Sequence, residues 1–293
     1  MKKLFFETKR FFMLTVVAFT MLASYAQTEA NRKIVMQVDN VNYSKPEQKK
    51  GAFWGKLADF VLFNQTTEQK SEYGDAVRAF IVKGLSGARR VQAMDGASGQ
   101  STDYIVDATV SNISATSKIE KYKTKDSKGN EIIRTNTVYK GNVGVTLTVK
   151  NAQTGEVVTS PAFNISDYDC AWVETPDGAV LNTLQSLSSS ITNYFNRCFP
   201  FRANIVESAR QKKDKQKEVY IDLGSNVGAY SGIHFNVYTV KTVAGKEARV
   251  KVGKLKITDV QGDEISLCKV QSGGKDIKNA IDDGQNLLIE SID

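Results

Sequence analysis

The stretch from Val143 to Lys150 constrains the fold of this chain more than any other. Val143, Val145, Leu147 and Val149 alternate with Gly144, Thr146, Thr148 and Lys150. A period of two puts the apolar set on one face and the small or polar set on the other, which suits a strand and not a helix. Tyr104 to Ile113 reads as a second strand, and Asp126-Ser127-Lys128-Gly129-Asn130 supplies turn residues between the two. A long hairpin follows from this. Its outer part, 117–134, carries Lys118, Lys121, Lys123, Lys125 and Lys128. Those lysines keep an exposed hairpin soluble and unpaired, or else meet lipopolysaccharide, cell-wall polymer or an acidic partner.

Such a hairpin needs a second layer, and two helices offer it. Residues 71–86 line up Tyr73, Val77, Phe80, Ile81 and Leu85, with Ser71 as N-cap and Gly87 as a left-handed stop. Thr175-Pro176-Asp177 opens a helix at 178–196 with a capping Thr, a Pro at the first helical position and an acid. Its buried stripe is Val180, Leu184, Leu187, Ile191 and Tyr194. A strand over 33–41, one at Arg90–Met94 and one beginning at Val157-Val158 complete a mixed sheet. Gly51 to Phe63 is the aromatic stretch, in which Phe53, Leu57, Phe60 and Val61 fall at helical spacing. Phe53, Trp54 and Phe60 are candidate docking residues, the alternative being a lid packed on its own core.

Ala209 to Lys217 is polar and basic, and residues 209–218 read as a connector between domains at 27–208 and 219–293. Beyond it Val219, Ile221 and Leu223 alternate, and Gly224, Gly228 and Gly232 suit tight turns. Val250 and Val252 have the opposite parity to Leu255 and Ile257, which places a bulge or barrel corner at Gly253. Leu287–Ile292 ends the series. The expected fold class is α+β: an α/β sandwich with a mixed sheet, then a small all-β, barrel-like domain.

The first 26 residues read as a signal peptide. Lys2, Lys3, Lys9 and Arg10 precede an apolar run, Phe11 to Ala23, and Ser24-Tyr25-Ala26 supplies small residues for cleavage after Ala26. The run is short for a bilayer span. No cysteine stands at the cut, so a lipid-attachment site is missing. The expected location is the periplasm, with peripheral outer-membrane contact open. The net charge is +7. The first 26 residues hold four basic residues and one acid, leaving about +4, too mild to argue for nucleic acid. Three cysteines remain, and Cys170 and Cys198 flank the second helix as a candidate disulfide.

The residues do not spell out a catalytic site. His234 is the one histidine and has no local nucleophile or acid in a triad arrangement. The Gly224, Gly228, Gly232 spacing lacks the Lys-Ser/Thr of a phosphate loop. Asp167, Asp169 and Cys170 lack the spacing of a metal site. The expectation is a protein without catalytic, cofactor or metal residues.

The order of elements resembles the CsgG-type family, the domain of the curli production assembly and transport component. The likeness is carried by a first strand, the 71–86 helix, Asp103-Tyr104-Ile105-Val106-Asp107-Ala108-Thr109-Val110, a hairpin, Thr154-Gly155-Glu156-Val157-Val158 and the 178–196 helix, over roughly 33–207. That domain is similar to one in lipoproteins that activate peptidoglycan synthases. Val219 to Ile257 resembles the terminal β-domain of flagellar assembly protein T. The resemblance implies an envelope secretion or assembly component that contacts envelope proteins or itself, as a ring homo-oligomer, or an activator docked on a peptidoglycan synthase. A hydrolase ranks below both. Lipid-facing strands need about ten residues of apolar-out alternation. The lysines of 117–134, and Asp167, Asp169 and Glu174 in 160–174, break it. The reading is a soluble partner or scaffold.

Overall fold

The computed structural model describes residues 31–44, 67–96, 101–166, 169–244 and 246–292. The expected signal peptide at 1–26 and the docking candidates Phe53, Trp54 and Phe60 lie outside the described residues. Among the described residues the chain forms two compact units, one over Ile34–Phe195 and the other over the residues from Asn196 on together with Asn31–Lys33.

The first unit is a mixed sheet in the order β2-β1-β3-β4-β5, with β6 also on β4. The strands are β1 (Ile34–Tyr43), β2 (Val91–Asp95), β3 (Tyr104–Lys125), β4 (Glu131–Asn151), β5 (Val157–Thr159) and β6 (Ala162–Ile165). β1 runs parallel to β2 and β3, while β4 is antiparallel to β3, β5 and β6. Helices α1 (Thr67–Ser86) and α2 (Pro176–Cys198) supply the second layer. Val77, Ile81 and Leu85 of α1 are fully buried, as are Val180, Leu184, Leu187, Ile191 and Phe195 of α2. The stripe of α2 therefore ends on Phe195. Tyr194, expected in the stripe, is half-buried and bonds its hydroxyl to Thr159 Oγ1 at 2.7 Å.

Small residues set how closely these layers approach. Thr192 Oγ1 donates to the Gly84 carbonyl at 2.7 Å, and a Cβ on Gly84 would lie 2.7 Å from the Ser188 carbonyl oxygen. Gly87 does not take the left-handed conformation that the sequence predicts. It is needed for space, since a Cβ there would lie 2.6 Å from Thr192 Oγ1. Thr175 does cap α2, accepting from the Gly178 N–H at 3.1 Å.

The second unit is a closed six-stranded barrel, in the order β10-β11-β8-β7-β12-β9. Its strands are β7 (Arg202–Lys212), β8 (Lys215–Ile221), β9 (His234–Val243), β10 (Lys246–Val260), β11 (Ser266–Ser272) and β12 (Leu287–Ile292). Closure leaves no edge strand, so alternate residues of every strand fill one core. Phe201, Ile221, Phe235, Val237, Leu255, Ile257 and Ile289 are among its residues. The expected connector at 209–218 is the β7–β8 hairpin of this barrel. Its basic side chains are the outward half of an alternating pattern, while Gln216, 1% exposed, turns inward. The barrel begins at β7, before position 219.

Gly253 stands where the β9–β10 register slips, as its parity switch implied. The space there is used by a helix the sequence reading did not foresee, α3 (Gly274–Asp282), whose Ile277 is fully buried. A Cβ on Gly253 would lie 2.6 Å from the Ile277 Cδ1. Gly224 is equally confined, with the Asp263 carbonyl carbon 2.3 Å from where a Cβ would stand, and Gly228 has φ 86°. The molecule is thus α+β, with a mixed sheet under helices and a closed barrel. No helix of the described residues is long and apolar enough to cross a membrane.

Candidate functional site

The feature that ordinary domain architecture leaves over is the outer half of the β3–β4 hairpin. The two strands have 22 and 21 residues, against about five or six for a usual strand. They pair without interruption from Asn112↔Gly144 to Lys125↔Glu131. At the end Asp126 accepts from the Lys128 and Asn130 N–H groups at 2.8 and 2.9 Å, and Gly129 has φ 84°. Hydrogen bonds from the Asn130 backbone and side chain hold the Asp126 carboxyl below its ordinary range. The turn is the one expected from its five residues.

Burial divides the hairpin in two. In the inner half Val106, Ala108, Val110, Val143, Val145, Leu147 and Val149 are buried. That face meets the helices: a Cβ on Gly141, opposite Ala115, would lie 2.5 Å from the Ala179 carbonyl oxygen of α2. From Thr116 to Lys125, and from Glu131 to Thr137, no side chain is buried on either face. This arm of about ten residue pairs extends roughly 33 Å at strand rise. Residues 116–140 hold seven basic side chains and three acidic ones, an excess about equal to that of residues 27–293 together.

Register assigns each side chain to a face. Ser117↔Tyr139, Ile119↔Thr137, Lys121↔Thr135, Lys123↔Ile133 and Lys125↔Glu131 share the face that continues the core side. Ile119 and Ile133, at 68% and 67%, are the most exposed large apolar side chains of the described residues. Lys123 pairs with Glu131 at 3.2 Å; Lys121 and Lys125 pair with no acid among the described residues. The other face carries Lys118, Glu120, Tyr122, Thr124, Ile132, Arg134, Asn136 and Val138. Toward the root it adds Lys140, and Lys118 is paired with Glu120 at 2.6 Å.

The root of the arm is braced. Tyr139 and Val173 exchange backbone hydrogen bonds at 2.7 and 3.0 Å. The Trp172 ring lies under two ammonium groups, Lys118 at 4.3 Å and Lys140 at 5.1 Å. Of the candidates named from sequence, Lys121, Lys123 and Lys125 therefore meet on one face. Ile119, Ile133, Tyr122 and Trp172 were missed. The signal for the isoleucines was present, since they share the parity of the lysines in the register that the turn imposes.

The remaining candidates lie elsewhere. Cys170 and Cys198 are free thiols, so the expected bridge is not formed. Cys170 is buried with its Sγ 3.5 Å from Ser186 Oγ. Cys198 ends the helix twelve residues after Ser186, a rise of about 18 Å, well beyond the reach of a disulfide. Burial pushes the Cys268 thiol up to about 12. His234 is half-buried on β9 with Nδ1 3.0 Å from Gln271 Oε1. Asp169 accepts from the Ser166 N–H and hydroxyl at 3.0 and 3.2 Å. Among the described residues no three His, Cys, Asp or Glu side chains gather as for a metal. The arm offers ammonium, hydroxyl and aliphatic groups, which suit contact.

No protein-family model and no curated protein matches the chain. Among solved structures it is similar to a neuraminyllactose-binding hemagglutinin homologue from Helicobacter pylori, at 8% identity over 57% of this chain and 83% of that one, with a TM-score of 0.30. It is similar to the PelC dodecamer from Paraburkholderia phytofirmans at 14% identity over 54% and 88%, with a TM-score of 0.28. A Xanthomonas campestris protein of the DUF330 family gives 11% identity over 56% and 84%, with a TM-score of 0.28. Likenesses this weak decide nothing about the activity of the chain.

Proposed function

We propose that this protein is a non-enzymatic, exported envelope component of the CsgG-like kind, acting in secretion or assembly through contacts made by the β3–β4 arm. The carrying observation is the half-bare hairpin: a two-stranded ribbon held at its root, with no side chain buried over 116–125 or 131–137. Isolated two-stranded ribbons gain little stability in water, so the bare half costs conformational entropy that folding does not recover. Contact with another surface recovers it. Tyr122 and Arg134, directly opposite each other, are residue types that contribute strongly at interfaces.

In-cell photo-cross-linking tests this reading, with the cross-linker at Tyr122 and a control at the exposed Ser189 of α2. Adducts with an envelope protein or with a second copy, formed from Tyr122 and not from Ser189, are expected. An arm that yields no adduct would overturn the proposal. Rings in negative stain would make the second copy the partner. A monomer that stimulates a peptidoglycan synthase would make the protein the activator of that synthase.

A further inference from the structure

The two faces of the arm differ in chemistry, and the difference identifies a second kind of contact. We infer that the face bearing Ile119, Lys121, Lys123, Lys125 and Ile133 seats on an anionic lipid surface, with the ribbon lying flat. The inference rests on the reading of the arm as a contact element but not on its having a protein partner.

The order of side chains outward from the root carries the argument. Ile119 faces Thr137, Lys121 faces Thr135, Lys123 faces Ile133, and Lys125 faces Glu131. The two isoleucines sit on opposite strands, four pairs apart, or about 13 Å along the ribbon at strand rise. Ammonium and hydroxyl groups fill the interval. Protein interface cores gather apolar side chains and exclude lysine. Here lysine lies between the apolar residues, as on segments that rest at a headgroup boundary. Lysine stems are apolar, so lysine can bury its methylenes beside the isoleucines while its ammonium meets a phosphate.

Charge complementarity selects the lipid. Three lysines stand against one acid, Glu131, on this face, and Lys121 and Lys125 pair with no acid among the described residues, whereas on the other face Lys118 is held by Glu120 and both Lys118 and Lys140 lie over the Trp172 ring. The Lys123–Glu131 pair is exposed, at 74% and 66%, and such pairs yield easily to a denser field of anions. The turn at the tip is polar and charged, Asp126-Ser127-Lys128-Gly129-Asn130, so the ribbon lies along the surface and does not drive its tip into it.

The test is co-sedimentation of the purified protein with vesicles of phosphatidylcholine alone and of phosphatidylcholine with phosphatidylglycerol. Binding is expected to the anionic vesicles, to be weak on the neutral ones, and to fall as salt rises from 0.05 to 0.5 M. Each lysine near such a surface contributes about fivefold, so Lys121→Ala, Lys123→Ala and Lys125→Ala together lower binding by about a hundredfold. Ile119→Ser with Ile133→Ser lowers it by about tenfold or more. Ile119→Thr with Ile133→Thr keeps β-branching if the serine pair fails to fold. Replacing Lys212, Lys213 and Lys215 of the barrel by Ala leaves binding unchanged.

Equal binding to both vesicle types would overturn the inference. So would isoleucine variants that bind like the parent while poly-glutamate displaces the protein, an outcome that makes the face a site for acidic polypeptide. Cross-linking from Tyr122, on the opposite face, is scored separately. Adducts without vesicle binding sink the lipid contact alone. Vesicle binding without adducts supports it and sinks the protein-contact reading alone.

Discussion

The inner and outer halves of the β3–β4 hairpin share the same two antiparallel strands, with one register shift between Val110 and Asn112, yet one is core and the other is bare. In the inner half Leu147 faces Ala108 and both are fully buried under the helices. In the outer half Ile119 and Ile133 continue the same face, and both are about two-thirds exposed. The backbone pattern does not change at the boundary. What changes is the cover, which thins where α2 passes Gly141. Alternation specifies that a strand has two faces. It does not specify that either is buried.

The comparison breaks most visibly if the inner half is hollowed. Leu147→Ala is expected to lower unfolding free energy by about 2–5 kcal/mol, read from urea denaturation; a loss below about 1 kcal/mol would mean the inner face is not the core described. Next comes the boundary itself. Gly141→Ala puts a Cβ 2.2 Å from Thr183 Oγ1 and 2.5 Å from the Ala179 carbonyl oxygen. The overpacking costs about 1–3 kcal/mol, and Thr183→Ala in the same chain restores part of it. A neutral Gly141→Ala would show that α2 does not close over the hairpin there.

The solvent face of the inner half comes third. Burial pushes the Asp107 carboxyl up. Hydrogen bonds from Lys150, at 2.8 Å, and from Asn40, with the charge of Lys150, outweigh it and hold the group below its ordinary range. Because the folded-state value is lowered, this stabilisation is present above the unfolded carboxylate range, near 4, and is lost as pH falls through the folded value. Asp107→Asn is therefore expected to cost up to about 1 kcal/mol at neutral pH. The gap to the parent closes in melts below about pH 4. A gap that widens in acid would invert the assignment. The smallest effect belongs to the arm. Ile119→Ala and Ile133→Ala should each change stability by no more than about 0.5 kcal/mol. A loss of 2 kcal/mol from either would mean the outer face is covered in the free protein.

Much of this molecule was legible without coordinates. The hairpin and its turn, the stripe of α1, the Thr175 cap and the Gly253 bulge follow from periodicities and backbone preferences local to a few residues. The misreadings share a cause. The run 209–217 was read as a connector because its lysines dominate it, yet its outward side chains belong to two barrel strands, with Gln216 turned in. Gly87 was assigned a dihedral role when its need is for space beside Thr192. Tyr194 was placed in a stripe that Phe195 occupies. Nine residues of α3 between glycines gave too short a period to detect.

What the sequence determined by itself is the two-faced strands, the helical stripes, the turn at 126–130 and the basic character of the hairpin end. These are consequences of side-chain spacing and of glycine, proline and aspartate chemistry over short distances. The tertiary structure alone decided where helix cover ends along β3 and β4, and hence that Ile119 and Ile133 stand among lysines in the open. It also decided that six strands close on one another, with Ile277 seated at Gly253. Burial depends on what arrives from a hundred residues away, and no local pattern of alternation records that arrival.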